Sequence, residues 1–269
     1  MRWLDALRAR WPSGRSEDAS IDDGLWHDTC APLPFIAGLP AAQMQRLRIL
    51  SALFLRAKEF HGANGLVITD AMALQVAVQA VLPLLHLPLA PAAALRWYDD
   101  FVGIVMHPGE VVAAREVVDD DGVVHHYHEV LAGEAMEGGP VMLSWRDTAD
   151  AALNAQQGYN LVIHEFVHKI DMRDGQPDGC PPLASAAARR HWLALLEEAF
   201  ADFRRRVIEA ERFGQPAPWL DSYGAEAIDE FFAVAAEAYF VQRERFGREF
   251  PSLLTLFDSF FRPDGAAAP

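Results

Sequence analysis

The five residues His164-Glu165-Phe166-Val167-His168 constrain this chain more than any other part of it. They lie in a stretch from Leu161 to about Met172, in which Leu161, Val162, Ile163, Phe166 and Val167 read as the buried side of a helix. Two histidines four apart stand one turn apart on the same side of a helix, so both imidazoles can bind one zinc ion. Glu165 lies beside that metal, where its carboxylate can take a proton from a zinc-activated water. With 10 histidines in 269 residues, such a pentapeptide arises by chance in on the order of one chain in forty. Chance matches also often fall in loops or break the amphipathic pattern, and this one does neither.

A catalytic zinc needs a third protein ligand and an open position for water. The metzincin arrangement requires another histidine soon after His168, but Lys169-Ile170-Asp171-Met172-Arg173-Asp174-Gly175 contains none. The third ligand therefore comes from farther away. A helix expected from Ile228 to about Gln242 carries Glu230 and Glu237, seven residues and almost two full turns apart, hence on one face. The rest of that helix is strongly apolar, and a carboxylate there is costly unless paired or bound to metal. Spacing alone does not choose between the two glutamates. A closed structural zinc site, by contrast, would normally use four ligands including cysteines, and Cys180 is the only cysteine near the motif.

Around this motif the chain reads as helices, a small mixed sheet, then helices again, which is a helix-dominated α+β class. Residues 1–30 are expected to be an irregular lead-in, 31–262 a single catalytic domain, and 263–269 a tail. Leu47 to Ala57 follows helical spacing, in a helix that stops near Gly62 and Gly65, and Asp70 is a suitable N-cap for an apolar helix from Ala71. The sheet is expected over about 101–146. It comprises a strand at Val102–Met106, a hairpin turning at Asp120-Asp121-Gly122, and a strand from Pro140 to Trp145. Later helices are expected from Ala186 to about Glu211, capped by Ser185, and over the 160–246 region that holds the motif.

Lys and Arg number 23 against 38 Asp and Glu, a formal charge of -15. So acidic a body lacks the basic footprint of a nucleic-acid binder and does not suit an anionic membrane surface. The N-terminus has no continuous apolar segment of a signal peptide, and the apolar stretch from Ala71 to Trp97 is broken by Gln75, Gln79, His86 and three prolines, so it is not a membrane span. Cys30 and Cys180 cannot build a disulfide framework and suit a reducing, cytoplasmic setting.

Several separate blocks resemble the Mlc titration factor A family of zinc metallopeptidases. They are Phe60-His61-Gly62-Ala63-Asn64-Gly65-Leu66, Gly139 to Trp145, Val162 to Asp171, Asp178 to Leu183, Tyr223-Gly224-Ala225, and Glu230-Phe231-Phe232-Ala233-Val234. The resemblance runs from about Leu47 to Phe246, and the family's active site is similar in layout to the catalytic domain of anthrax lethal factor. It implies a zincin-like fold and one zinc ion per chain, bound by His164, His168 and Glu230. Glu165 would be the general base and Tyr223 a hydroxyl that stabilises the developing oxyanion. Glu237 then orients a histidine ligand from behind. Asp171 is a further candidate for such support, against the alternative of a solvated carboxylate at a helix end. The resemblance also implies aminopeptidase activity on short peptide substrates. Its alternative implication is a regulatory protein that binds an Mlc-like transcriptional repressor of sugar uptake and titrates it from DNA, with peptidase activity secondary.

Other features carry less. His125-His126-Tyr127-His128 would alternate faces on a strand and reads as solvent-exposed rather than as a metal cluster. The strand ending at Trp145 is either an edge against which a peptide lies or an ordinary core strand. Trp3, Trp11 and Trp26 read as core or docking anchors.

Overall fold

A computed structural model describes residues 21–118 and 124–263. The chain opens with α1 (Asp23–Cys30), α2 (Pro34–Ala37) and α3 (Ala41–Ala57). Part of the stretch expected to be an irregular lead-in is therefore helical. Asp22 accepts a hydrogen bond from the Leu25 N–H at 2.9 Å and starts α1, while Arg48 pairs with Asp23 at 2.5 Å and lies over the Trp26 ring. Residues 1–20, with Trp3 and Trp11, lie outside the described residues, as do the 119–123 turn and the tail after 263.

Helix α3 ends at Ala57, and β1 (Glu59–Gly62) follows where the helix is expected to continue. Next come α4 (Asp70–Ala80) and α5 (Pro91–Ala94). The cap of α4 is Thr69, not Asp70: its extended backbone lets the hydroxyl accept from Met72 N–H at 3.2 Å. Strands β2 (Gly103–His107), β3 (Val111–Val118), β4 (Val124–Leu131), β5 (Gly133–Ala135) and β6 (Val141–Ser144) follow in order. β3 and β4 form the expected antiparallel hairpin, separate from the main sheet. The side chains of His125, His126, Tyr127 and His128 on β4 lie outside what is described.

The main sheet has the order β1-β2-β6-β5, so it begins near residue 59 rather than 101. β1, β2 and β6 run parallel, and β5 runs antiparallel to β6 with Gly133 opposite Leu143 and Ala135 opposite Val141. β6 is therefore an interior strand, and the edge is β5. β6 also stops at Ser144: Trp145 begins α6 (Trp145–Ala149), where Ser144 accepts from the Asp147 N–H. Helix α7 (Ala151–Asn154) leads to the motif helix.

That helix, α8 (Leu161–Asp171), is buried along its whole length. Phe166 projects into an aromatic group with Phe54, Tyr98 and Phe101, at centroid separations of 5.1–5.9 Å. Each such ring adds about 0.5–1.5 kcal/mol beyond its area burial, so the helix is fixed firmly on its core side. After α9 (Ala186–Phe213), capped as expected by Ser185, comes α10 (Ile228–Val241), with α11 (Arg243–Glu249) and α12 (Pro251–Phe261) closing the domain. Phe232 and Tyr239 of α10 pack into a cluster with Trp192, Phe257 and Phe261. On another side α10 packs closely against α8. Among the described residues no helix is long and apolar enough to cross a membrane.

Candidate metal centre and cleft

The site grows from the start of α8. Asn160 caps the helix through its Oδ1, which accepts from the Ile163 N–H at 2.9 Å, and its Nδ2 donates to Gln79 Oε1 on α4 at 2.7 Å. Its backbone N–H donates to Glu237 Oε2 on α10. The other oxygen of Glu237 is 2.8 Å from His164 Nδ1. With Nδ1–H donated to that carboxylate, His164 keeps its Nε2 lone pair for the cleft.

His164 Nε2 faces His168 Nε2 at 3.1 Å and Glu230 Oε2 at 3.1 Å, and the third side, His168 Nε2 to Glu230 Oε2, is 3.3 Å. Adjacent ligands of a tetrahedral ion with bonds of about 2.0–2.1 Å lie roughly 3.3–3.4 Å apart. The three atoms thus form one face of such a tetrahedron, and their chemistry, two imidazole nitrogens and a carboxylate oxygen, fits zinc. These three residues form the one group of convergent metal-ligating side chains among the described residues. The carboxylates and imidazoles also shift one another's charge states. Burial works against charge on His164, yet its bonds to Glu230 and Glu237 prevail and hold its pKa well above the usual value. Burial likewise opposes charge on Glu230, but the two histidines hold its carboxyl well below the ordinary range.

Glu165 is buried at the edge of this triangle, and burial lifts its pKa to about 7 against the pull of His164 and His168. A carboxylate poised there exchanges protons readily at neutral pH. The strand β5 lies directly on it: a Cβ placed at Gly133 would be 2.3 Å from Glu165 Oε1. Tyr223 stands across the cleft on a short helical turn, Ser222–Ala225, fixed by the Asp221 carboxylate. Its hydroxyl donates to Glu230 Oε1 at 3.3 Å, and its ring lies 6.1 Å from that of His164. It is 37% exposed. The cleft between these parts has a volume of about 500 Å³ and borders Gly133, Ala135, Tyr159, Leu161, Met172 and Val234.

Of the residues expected from the sequence, His164, Glu165, His168, Tyr223, Glu230 and Glu237 come together. Asp171 hydrogen-bonds to none of them, though the charge of His168 acts on it. It is fully buried, so the solvated alternative fails, and its Oδ2 accepts from the Gly179 N–H at 2.9 Å, tying the 175–179 loop to α8. Burial raises its pKa to about 7. Two contributors escape a motif reading: Asn160, whose cap position before the first apolar residue was the available signal, and the edge strand β5.

On that edge the backbone groups alternate in direction. The Ser144 N–H donates to the Ala132 carbonyl and the Met136 N–H to that of Pro140, so alternation turns the N–H and C=O of Gly133 and Ala135 away from β6. Among the described residues no strand pairs with β5 on that side.

Comparison with known proteins finds matches along nearly the whole chain. The family model described as glucose-regulated metallo-peptidase M90 matches residues 7–262. The proteins named Mlc titration factor A from Salmonella typhi and Salmonella arizonae are 32% and 33% identical to the chain over 258 residues. Each alignment covers 95% of this chain, with 92% of the first relative and 97% of the second.

Proposed function

The chain belongs to the glucose-regulated metallo-peptidase M90 family, and from that premise we propose that it is a zinc-dependent aminopeptidase acting on short peptides. The observation that carries this reading is the triangle of His164, His168 and Glu230 donor atoms, 3.1–3.3 Å on each side, with Glu165 next to it in an open cleft. Zinc held by these three residues would supply Lewis acidity, polarising a peptide carbonyl and acidifying water.

The remaining steps fall to the chain's own groups. Glu165 accepts the proton of the attacking water and passes it to the leaving amine. Tyr223 aims its hydroxyl at the carbonyl oxygen as charge develops there. Glu237 holds His164 in the tautomer that leaves Nε2 free. The outward N–H and C=O groups of Gly133 and Ala135 pair with the substrate backbone as an added strand, so the short edge of β5 takes that role, while the strand ending at Ser144 is the interior strand that was the other alternative. Exopeptidase character is supported by the cleft's charge: Glu134, Asp221 and Asp229 border it and no described Lys or Arg does, which suits a free α-ammonium group. A cytoplasmic setting belongs to the same proposal, supported by the two free, buried cysteines.

The test is hydrolysis of a panel of amino-acid p-nitroanilides, with and without added zinc, by wild type and Glu165→Gln. Zinc-dependent hydrolysis in the wild type, reduced at least about a hundredfold in the variant with its zinc retained, is the expected result. Equal rates in both would sink the assignment of Glu165. A second reading, binding of an Mlc-like repressor, rests on the name of the relatives, and pull-down of a stoichiometric repressor from the source lysate would favour it.

A further inference from the structure

Lys169 follows the second motif histidine and takes no part in the chemistry above. It is fully buried on the motif helix. A buried ammonium is costly unless each of its hydrogens finds an acceptor. Lys169 Nζ finds three: it donates to the Met136 carbonyl at 2.8 Å, to the Gly139 carbonyl at 3.4 Å, and to Asp100 Oδ2 at 2.7 Å. It also lies 4.6 Å from the centre of the Phe101 ring. Asp100 is steadied in turn by Arg173, 3.7 Å away.

Two of these acceptors belong to one feature, the turn from Met136 to Gly139 that joins β5 to β6. The turn is closed on itself by the Gly139 N–H, which donates to the Met136 carbonyl at 3.0 Å, and the Met136 N–H reaches the Pro140 carbonyl at 3.4 Å. Met136 is 45% exposed, and Lys169 is what ties the turn to α8. Glu165 and Lys169 are four apart, so they stand one above the other on α8, about 6 Å apart along the axis. β5 meets both: Gly133 presses on Glu165, and the end of the strand is held by Lys169. From Gly133 to Met136 the strand spans about 10 Å, and the long lysine stem covers the difference.

We infer that Lys169 is a positioning residue for the substrate strand: it clamps the β5–β6 turn to the metal-binding helix, so that the outward backbone groups of Gly133 and Ala135 stay aligned with Glu165 and the donor triangle. The inference rests on the reading that a peptide adds to β5. It assigns a residue that touches no substrate a direct part in how well extended substrates bind.

The test uses the zinc-loaded protein carrying Lys169→Met, which keeps the stem and removes the donors. A second variant, Lys169→Met with Asp100→Asn, leaves no carboxylate uncompensated should the first fail to fold. Two readouts are needed. In hydrogen exchange, protection of the Glu134 and Met136 amides should fall at least about tenfold, while that of α8 and β2 stays as in wild type. In kinetics, KM for an extended tetrapeptide should rise about tenfold, while KM for an amino-acid p-nitroanilide and kcat for both stay within about threefold. Unchanged protection of β5, loss of protection spread over α8 as well, or equal KM changes for both substrates would each overturn the inference. A wild-type protein that hydrolyses neither substrate would refute the peptidase reading instead, and the exchange data would still decide whether Lys169 clamps the strand.

Discussion

Adding one methyl group at Gly133 tests the reaction geometry more sharply than removing any of the charged residues. A Cβ there would sit 2.3 Å from Glu165 Oε1, 2.8 Å from Cδ and 2.9 Å from Cγ, where ordinary contact begins at 3.4 Å. All three atoms are crowded, so turning the carboxylate in place does not relieve the clash, and the group must retreat by about 1 Å. Gly133 is not among the glycines with positive φ, so alanine costs the backbone no strain. A misplacement of about 1 Å in a reacting group costs roughly a hundredfold in rate, or about 2.7 kcal/mol of barrier. Gly133→Ala should therefore lower kcat about a hundredfold, with zinc bound as in wild type, since His164, His168 and Glu230 keep their places. The assay is initial-rate hydrolysis of a p-nitroanilide, with zinc content by elemental analysis and melting by circular dichroism. A fully metallated, folded variant with kcat within threefold of wild type would show that Glu165 is not the base or that β5 yields freely. Either result refutes the argument.

Three further outcomes follow from single contacts. Glu237→Gln keeps the shape of the group behind His164 but removes its charge, and zinc affinity should fall about 10- to 100-fold in competition with a chromophoric chelator; an unchanged Kd would count against Glu237 as the orienting group. Tyr223→Phe should reduce kcat roughly a hundredfold and leave KM nearly constant, and a selective rise in KM would recast Tyr223 as a binding residue. His86 governs acid stability: burial first, then Arg262, Arg243 and Arg46, with Asp258 opposing, lower its pKa from 6.5 to about 4. The unfolded chain takes this proton first as pH falls, so the stability present above about pH 6.5 is lost progressively down to about pH 4. With the ring partly exposed, the loss is on the order of 2 kcal/mol. The fall in urea midpoint from pH 7.5 to pH 4.5 should be smaller for His86→Gln than for wild type, and equal falls would dismiss His86 as the cause.

The elements legible in the sequence are those that declare themselves locally. α9 carries its own cap in Ser185, and α8 and α10 announce themselves through apolar side chains around a few polar ones. β1 was not legible because Glu59-Phe60-His61-Gly62 has one apolar residue and no alternation; it is a strand by virtue of its parallel pairing with β2. β5 is harder still. Gly133-Glu134-Ala135 has no β-branched or aromatic residue, and the partner that makes it a strand is β6. Trp145 reads as strand because it continues an apolar run, whereas the Ser144 hydroxyl, which ends that run by capping α6, looks like any other polar residue in a strand.

The metal site divides in the same way. Spacing framed Glu230 and Glu237 as rivals for one place, yet an imidazole has two nitrogens, and the glutamates face His164 from opposite sides, Glu230 at Nε2 and Glu237 at Nδ1. Sharing one face of α10 is what lets both reach the same ring where α10 packs against α8. The contributors that no motif reveals act largely through the main chain: the Asn160 N–H on Glu237, the Met136 carbonyl under Lys169, the outward amides of Gly133 and Ala135. Every residue type carries the same backbone atoms, so their role leaves no compositional mark. What does show is a constraint on a neighbouring side chain, a glycine where a methyl would strike Glu165 or a lysine with no path to solvent.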